Sequence, residues 1–222
     1  MPILSIVSAA SVSSAILLAG AGGTGVVLPE PQTTKSAITE PATVSTPGPI
    51  EVDPTAYATA NWPSHNKDLY ANDFQGKKLA VPLGGETWLT EETDLNGRVL
   101  VLDFWATWCG PCIAAGPKLE KAKKDAKGAV EIVAISGQGE TADTIRSYLG
   151  QHEPKWTYLH DDAQRAFKPF ESRGIPLVVV LSTDGVVRWM GNPHAKAFAK
   201  AVDQVVKNDP LIQAIRAAKA DG

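Results

Sequence analysis

The only two cysteines of this chain stand in Trp105-Ala106-Thr107-Trp108-Cys109-Gly110-Pro111-Cys112, wedged between an apolar run and a helix-forming one. The run before them, Val99-Leu100-Val101-Leu102-Asp103-Phe104, reads as a buried strand. The stretch after them, Ile113 to Lys127, is rich in Ala, Lys, Leu and Glu and reads as a helix. Cys109 therefore falls at a strand-to-helix turn, where the unpaired amides of a helix N-terminus favour an anion. A thiolate is such an anion, and it is the reactive form of cysteine.

Whole-chain properties narrow the alternatives. The net charge is −3 over 222 residues, so no global basic field points to nucleic acid. Lys121, Lys123, Lys124 and Lys127 cluster on one helix, but Glu120 and Asp125 interleave them, which reads as a solvated face. Two cysteines make no disulfide framework, and half a ligand set makes a poor structural zinc site. The four histidines, His65, His152, His160 and His194, show no pair at ligand spacing, so no metal is implied. A static disulfide closing so short a loop gains little stability, which leaves a redox pair as the better reading of C-x-x-C.

The N-terminus reads as a separate unit. No charged residue occurs from Pro2 to Leu28, and Ile16-Leu17-Leu18 is followed by the small-x-small pattern Ala19-Gly20-Ala21. Residues 1–28 are expected to be a secretory signal or a membrane anchor, the stretch being long enough for either. Seven prolines fall from Pro29 to Pro63 among threonines and serines, so residues 29–61 are expected to be a disordered linker. Residues 62–222 are expected to fold as one domain.

Within that domain the punctuation is regular. Leu79-Ala80-Val81-Pro82-Leu83 and Thr87-Trp88-Leu89 suggest a short opening strand or hairpin broken by Gly84-Gly85. Val130 to Ser136 is a second buried strand, and Thr141 to Gly150 a helix with Thr141 as its cap. Trp156 to His160 is a short apolar segment, Ala163 to Phe170 a short helix, and Leu177 to Leu181 a third strong strand. Asp184-Gly185 turns the chain into Val186 to Met190. His194 to Lys207 reads as an amphipathic helix, and Asp209 as the cap of a second with Pro210 at its first position. The order predicts an α/β fold with a mixed central β-sheet flanked by helices.

Leu102 to Cys112 resembles the active-site motif of thioredoxin-fold oxidoreductases. Gly174-Ile175-Pro176 ahead of a strand resembles their Gly-Ile-Pro, whose proline is cis, and Pro117 resembles a proline inside their first active-site helix. The extra strand and helix from Val130 to Gly150 resemble the membrane-tethered TlpA-like branch. The likeness covers about Leu79 to Lys207 and implies a thioredoxin-like fold, with no cofactor.

The resemblance also assigns roles, residue by residue. Cys109 is the attacking thiolate and the more exposed sulfur, and Cys112 the buried resolving thiol that closes a Cys109–Cys112 redox disulfide. Asp103 takes the place of a buried carboxylate that assists proton transfer at the resolving cysteine. Trp108 covers the disulfide, Gly110 and Pro111 belong with it to the substrate-binding surface, and Pro176 faces the sulfurs while the Ile175 backbone pairs with an extended substrate.

Gly-Pro between the cysteines goes, in that family, with a reducing potential. The expected function is reduction of protein disulfides in the cell envelope, on the periplasmic side, with electrons from a membrane thiol donor. Cytochrome-maturation reductases of the branch often carry an acidic residue three positions after the second cysteine; here Ala115 stands there, which points away from that specialisation. A thiol peroxidase pattern, Pro-x-x-x-Thr-x-x-Cys, meets Leu102 and Ala106 instead. A non-catalytic thioredoxin-like binding module is the remaining alternative, although both cysteines are kept.

Overall fold

A computed structural model describes residues 50–79, 83 and 85–220. Residues 1–28, most of the 29–61 linker and the Leu79–Leu83 strand reading, apart from its two ends, lie outside the described residues.

Alternation and apolar runs place the strands where the side chains require them. The elements are α1 (Pro54–Thr59), β1 (Thr87–Trp88), β2 (Val99–Phe104), α2 (Gly110–Asp125), β3 (Val130–Ser136) and α3 (Ala142–Gln151). They continue with β4 (Thr157–His160), β5 (Leu177–Leu181), β6 (Val187–Gly191), α4 (Ala197–Asn208) and α5 (Pro210–Ala220). The six strands form one sheet in the order β1-β4-β3-β2-β5-β6. β2 pairs in parallel with β3 and antiparallel with β5, so the mixed central sheet expected from the sequence is present. β2 lies near the middle of this sheet, which is why its residues are buried on both faces.

The period of two then sorts β2. Val99 and Val101 meet Leu119 and Ala122 of α2, and Phe198, Val202 and Val206 of α4. Leu102 and Phe104 point the other way, into a cluster closed by Met190, Phe170 and the loop residues Tyr70 and Phe74. Asp103 shares the parity of Val99 and Val101, so it faces the helix layer that carries Cys112.

Three local findings refine the expectations. Six residues inside the expected linker form α1, whose Tyr57 hydroxyl lies 2.8 Å from the Thr183 hydroxyl. The helix expected over 163–170 is reduced to a 3-10 turn at Lys168–Phe170. Gln164 and Glu171 adopt left-handed backbone angles there, and the Asp161 carboxylate accepts the Ala166 amide at 2.8 Å, replacing the helical ladder. Finally, Gly137 closes β3 against the Asp161 carbonyl so tightly that a Cβ would lie 2.0 Å from that oxygen.

Candidate active site

Cys109 is the N-cap of α2, and its Sγ accepts the Cys112 amide at 3.2 Å. The helix N-terminus is thus aimed at the first sulfur, and a thiolate there is stabilised by the amide and by the helix dipole. The two cysteines form a disulfide with their Cα atoms 5.2 Å apart. Gly110 and Pro111 occupy the first helical positions, where the missing N–H of proline costs nothing. Pro117 lies further along the same helix.

As whole residues the two cysteines do not differ in exposure. Both residues are 4% exposed, because Cys109 packs with Trp105, Ala106 and Ile145 in the same apolar cluster as Cys112. What reaches solvent is the apolar rim: Trp108 is 63% exposed and Ile113 44%. Ile175 is half-buried against the cysteine cluster. The Ile175–Pro176 peptide is cis, and Pro176 immediately precedes Leu177, which pairs with Phe104 across the sheet. The sheet register therefore brings the proline to the same sheet end as the cysteine turn. The Tyr70 hydroxyl donates to the Pro176 carbonyl and ties that loop down.

Beneath the disulfide, Asp103 and Cys112 line one cavity of about 210 Å³ together with Trp105, Tyr148, Trp156 and Tyr158. Asp103 is buried, and burial pushes its carboxyl up to about 7. Its Oδ1 and the indole nitrogens of Trp105 and Trp156 have no hydrogen-bond partner among the described residues. A carboxyl that titrates here near pH 7 can give up a proton when neutral and take one from a thiol when ionised.

Sequence reasoning missed Glu140. This buried carboxylate sits in the connection from β3 to α3 and accepts the Thr107 amide at 3.1 and 3.0 Å, the Thr107 hydroxyl, and the Ser136 hydroxyl at 2.8 Å. It fixes the turn two residues before Cys109. No local pattern marks its hold on the cysteine turn, since Thr107 lies 33 residues earlier. Among the described residues no cluster of His, Cys, Asp and Glu is arranged to hold a metal ion.

The family model described as Redoxin matches residues 70–206, a span that contains both cysteines, Asp103 and Pro176. The chain belongs to the Redoxin family. It is 36% identical over 93 residues to the thiol-disulfide oxidoreductase ResA of Oceanobacillus iheyensis, covering 41% of this chain and 46% of that one. It is 31% identical over 128 residues to the thiol:disulfide interchange protein HelX of Rhodobacter capsulatus, covering 56% and 70%. The chain thus spans about half the length of the first of these relatives. The fold is shared with a disulfide-isomerase candidate from Bacteroides thetaiotaomicron, with TM-score 0.52 and 20% identity over 64% of this chain and 93% of that one. A thioredoxin-like protein solved in its oxidised form aligns with TM-score 0.50 and 19% identity over 59% and 95%. The thioredoxin-like fold expected from the sequence is the fold observed.

Proposed function

We propose that this Redoxin-family chain is a thiol-disulfide oxidoreductase that reduces protein disulfides in the cell envelope through Cys109 and Cys112. The observation that carries the reading is the cysteine pair at the start of α2, with Cys109 Sγ on a helix amide and Asp103 lining the cavity behind Cys112. In the dithiol state the Cys109 thiolate attacks a substrate disulfide, forming a mixed disulfide and releasing one substrate thiolate. Asp103 takes the proton of Cys112, whose sulfur then attacks Cys109 Sγ. The Cys109–Cys112 bond forms, the mixed disulfide breaks, and the second substrate thiolate leaves. Two electrons pass to the substrate, and a dithiol donor returns the pair to its reduced state.

Trp108 and Ile113 supply an exposed apolar rim for an unfolded or extended partner. Ile175 offers backbone groups to such a strand, while Pro176, having no N–H, cannot donate. Gly110 and Pro111 join this substrate-facing surface, and a Cβ at Gly110 would meet no atom within 4 Å. The envelope assignment rests on residues 1–28 as signal or anchor and on the proline-rich spacer after them, with 62–222 as the catalytic domain. The donor in that setting is a membrane thiol protein.

Turnover of a disulfide-bonded protein such as insulin, driven by dithiothreitol, tests the reading. The wild-type chain accelerates the reaction, Cys109→Ser abolishes the acceleration, and Cys112→Ser accumulates a mixed disulfide on Cys109. Unchanged turnover in Cys109→Ser contradicts the proposal.

A further inference from the structure

A second concave surface lies outside the cysteine site. Between α2 and α4 runs a groove of about 650 Å³ whose floor includes Ala122, Phe198, Val202 and Val206. Lys118, Lys121 and Lys127 line it from the side of α2, and Lys196, Lys207 and Arg216 from the side of α4 and α5. Two of the four lysines read in the sequence as a solvated face, Lys121 and Lys127, therefore stand on one wall of the groove. Two carboxylates share the rim, and both are already neutralised: Asp125 by Lys121 at 2.7 Å and Asp203 by Lys207 at 2.8 Å. Lys127, Lys196 and Arg216 are exposed and make no side-chain hydrogen bond or ion pair among the described residues. On a chain of net charge −3, this is a concentrated patch of positive charge over an apolar floor.

The groove is tied to the cysteine turn through His194. The His194 ring, at its margin, donates from Nε2 to the carbonyl of Pro111 at 2.9 Å, and Lys118 donates to the His194 carbonyl at 3.1 Å. The floor and walls follow α2 from residue 118 to 126, about 12 Å at the rise of a helix. Cations stand along that whole length rather than at one end. A single-headed acyl chain needs charge at one end only, whereas an amphipathic polypeptide segment with several carboxylates matches charge along both rims and apolar contact between them.

We infer that the α2–α4 groove docks an acidic amphipathic segment of the partner protein, lying beside the disulfide or dithiol that reacts at Cys109. The inference rests on the function proposed above and adds a substrate class to it: partners whose reactive cysteines are flanked by acidic sequence. Glutathione disulfide, which has no amphipathic stretch to lie along the groove, is expected to react independently of it.

The test is single-turnover mixing of the full chain, reduced beforehand, with two peptides that carry the same internal disulfide. One peptide continues into an acidic amphipathic stretch, the other into a basic stretch of matched apolar content. The acidic peptide is expected to react about tenfold faster at low ionic strength, with the advantage lost at about 0.5 M salt. The triple variant Lys127→Glu, Lys196→Glu, Arg216→Glu is expected to lose the same advantage while reacting with glutathione disulfide at the wild-type rate. Equal rates for the two peptides, or a preference that survives the triple variant, overturn the inference and leave the proposed function standing. Failure of the wild-type chain to reduce any of the three disulfides overturns the function itself. Binding to phosphatidylglycerol vesicles that the triple variant abolishes, without a peptide preference, assigns the groove to a lipid surface and also overturns the inference.

Discussion

The Thr107 amide donates to both carboxylate oxygens of Glu140, at 3.1 and 3.0 Å, and so joins the turn before Cys109 to the far end of β3. The hydroxyls of Thr107 and Ser136 complete the shell around a side chain that is almost wholly buried. An acceptor-only group thus faces donors on every side. Glu140→Gln turns one oxygen into an N–H₂ group that confronts those donors, and is expected to cost about 2–4 kcal/mol. Urea unfolding of the oxidised protein reads this directly. A loss below about 0.5 kcal/mol, the range of ordinary surface substitutions, would show that the clamp carries no weight.

Asp103 makes stability depend on pH in a defined direction. Burial raises its folded-state pKa from 3.8 to about 7, so the folded protein holds the proton more tightly than the unfolded chain. The contribution to stability is full below about pH 4, falls as pH rises towards 7, and is flat above that. The gap corresponds to about 4 kcal/mol as a ceiling. Asp103→Asn is expected to be more stable than wild type above pH 7 and to lack this slope, as followed by denaturant unfolding across pH. Closure of the mixed disulfide by Cys112 is expected to slow in the same variant, losing its inflection near pH 7. Parallel stability profiles for the two proteins would contradict the assignment.

Asp209 joins the two ends of the helix layer to the hairpin. It is fully buried, accepts the Leu211 and Ile212 amides at 3.1 and 3.2 Å as the cap of α5, and accepts the Thr183 amide and hydroxyl at 2.8 and 2.7 Å. Asp209→Ala orphans donors at both places and is expected to cost about 2–4 kcal/mol. Thermal unfolding together with far-ultraviolet circular dichroism checks it: the melting point falls and the helical signal of α5 weakens. An unchanged melting point would mean that water replaces the carboxylate without loss.

These three carboxylates show what was legible in the sequence. Asp209-Pro210 announced a helix start, because a capping side chain and a first-turn proline act locally. Asp103 was legible only through its motif and the apolar run that carries it. Glu140 was not legible at all, since its meaning lies in a partner that the sheet brings near. The same division holds for the fold. β2, β3 and β5 were plain because strands buried on both faces read as continuous apolar runs. The segment 163–170 misled because its composition suits a helix while Asp161 and two left-handed residues hold it as turns. The equal burial of Cys109 and Cys112 depends on how Trp105 and Ile145 pack around them, which spacing does not encode.

The reduction potential of the Cys109–Cys112 pair tests the central claim most directly. The full chain is equilibrated in dithiothreitol or glutathione buffers and the dithiol fraction is followed by thiol labelling. A helix-start thiolate beside Gly-Pro, acting as a reductant, predicts a value close to thioredoxin's, about −270 mV. A value near about −120 mV would contradict the account, because the pair would then insert disulfides rather than remove them.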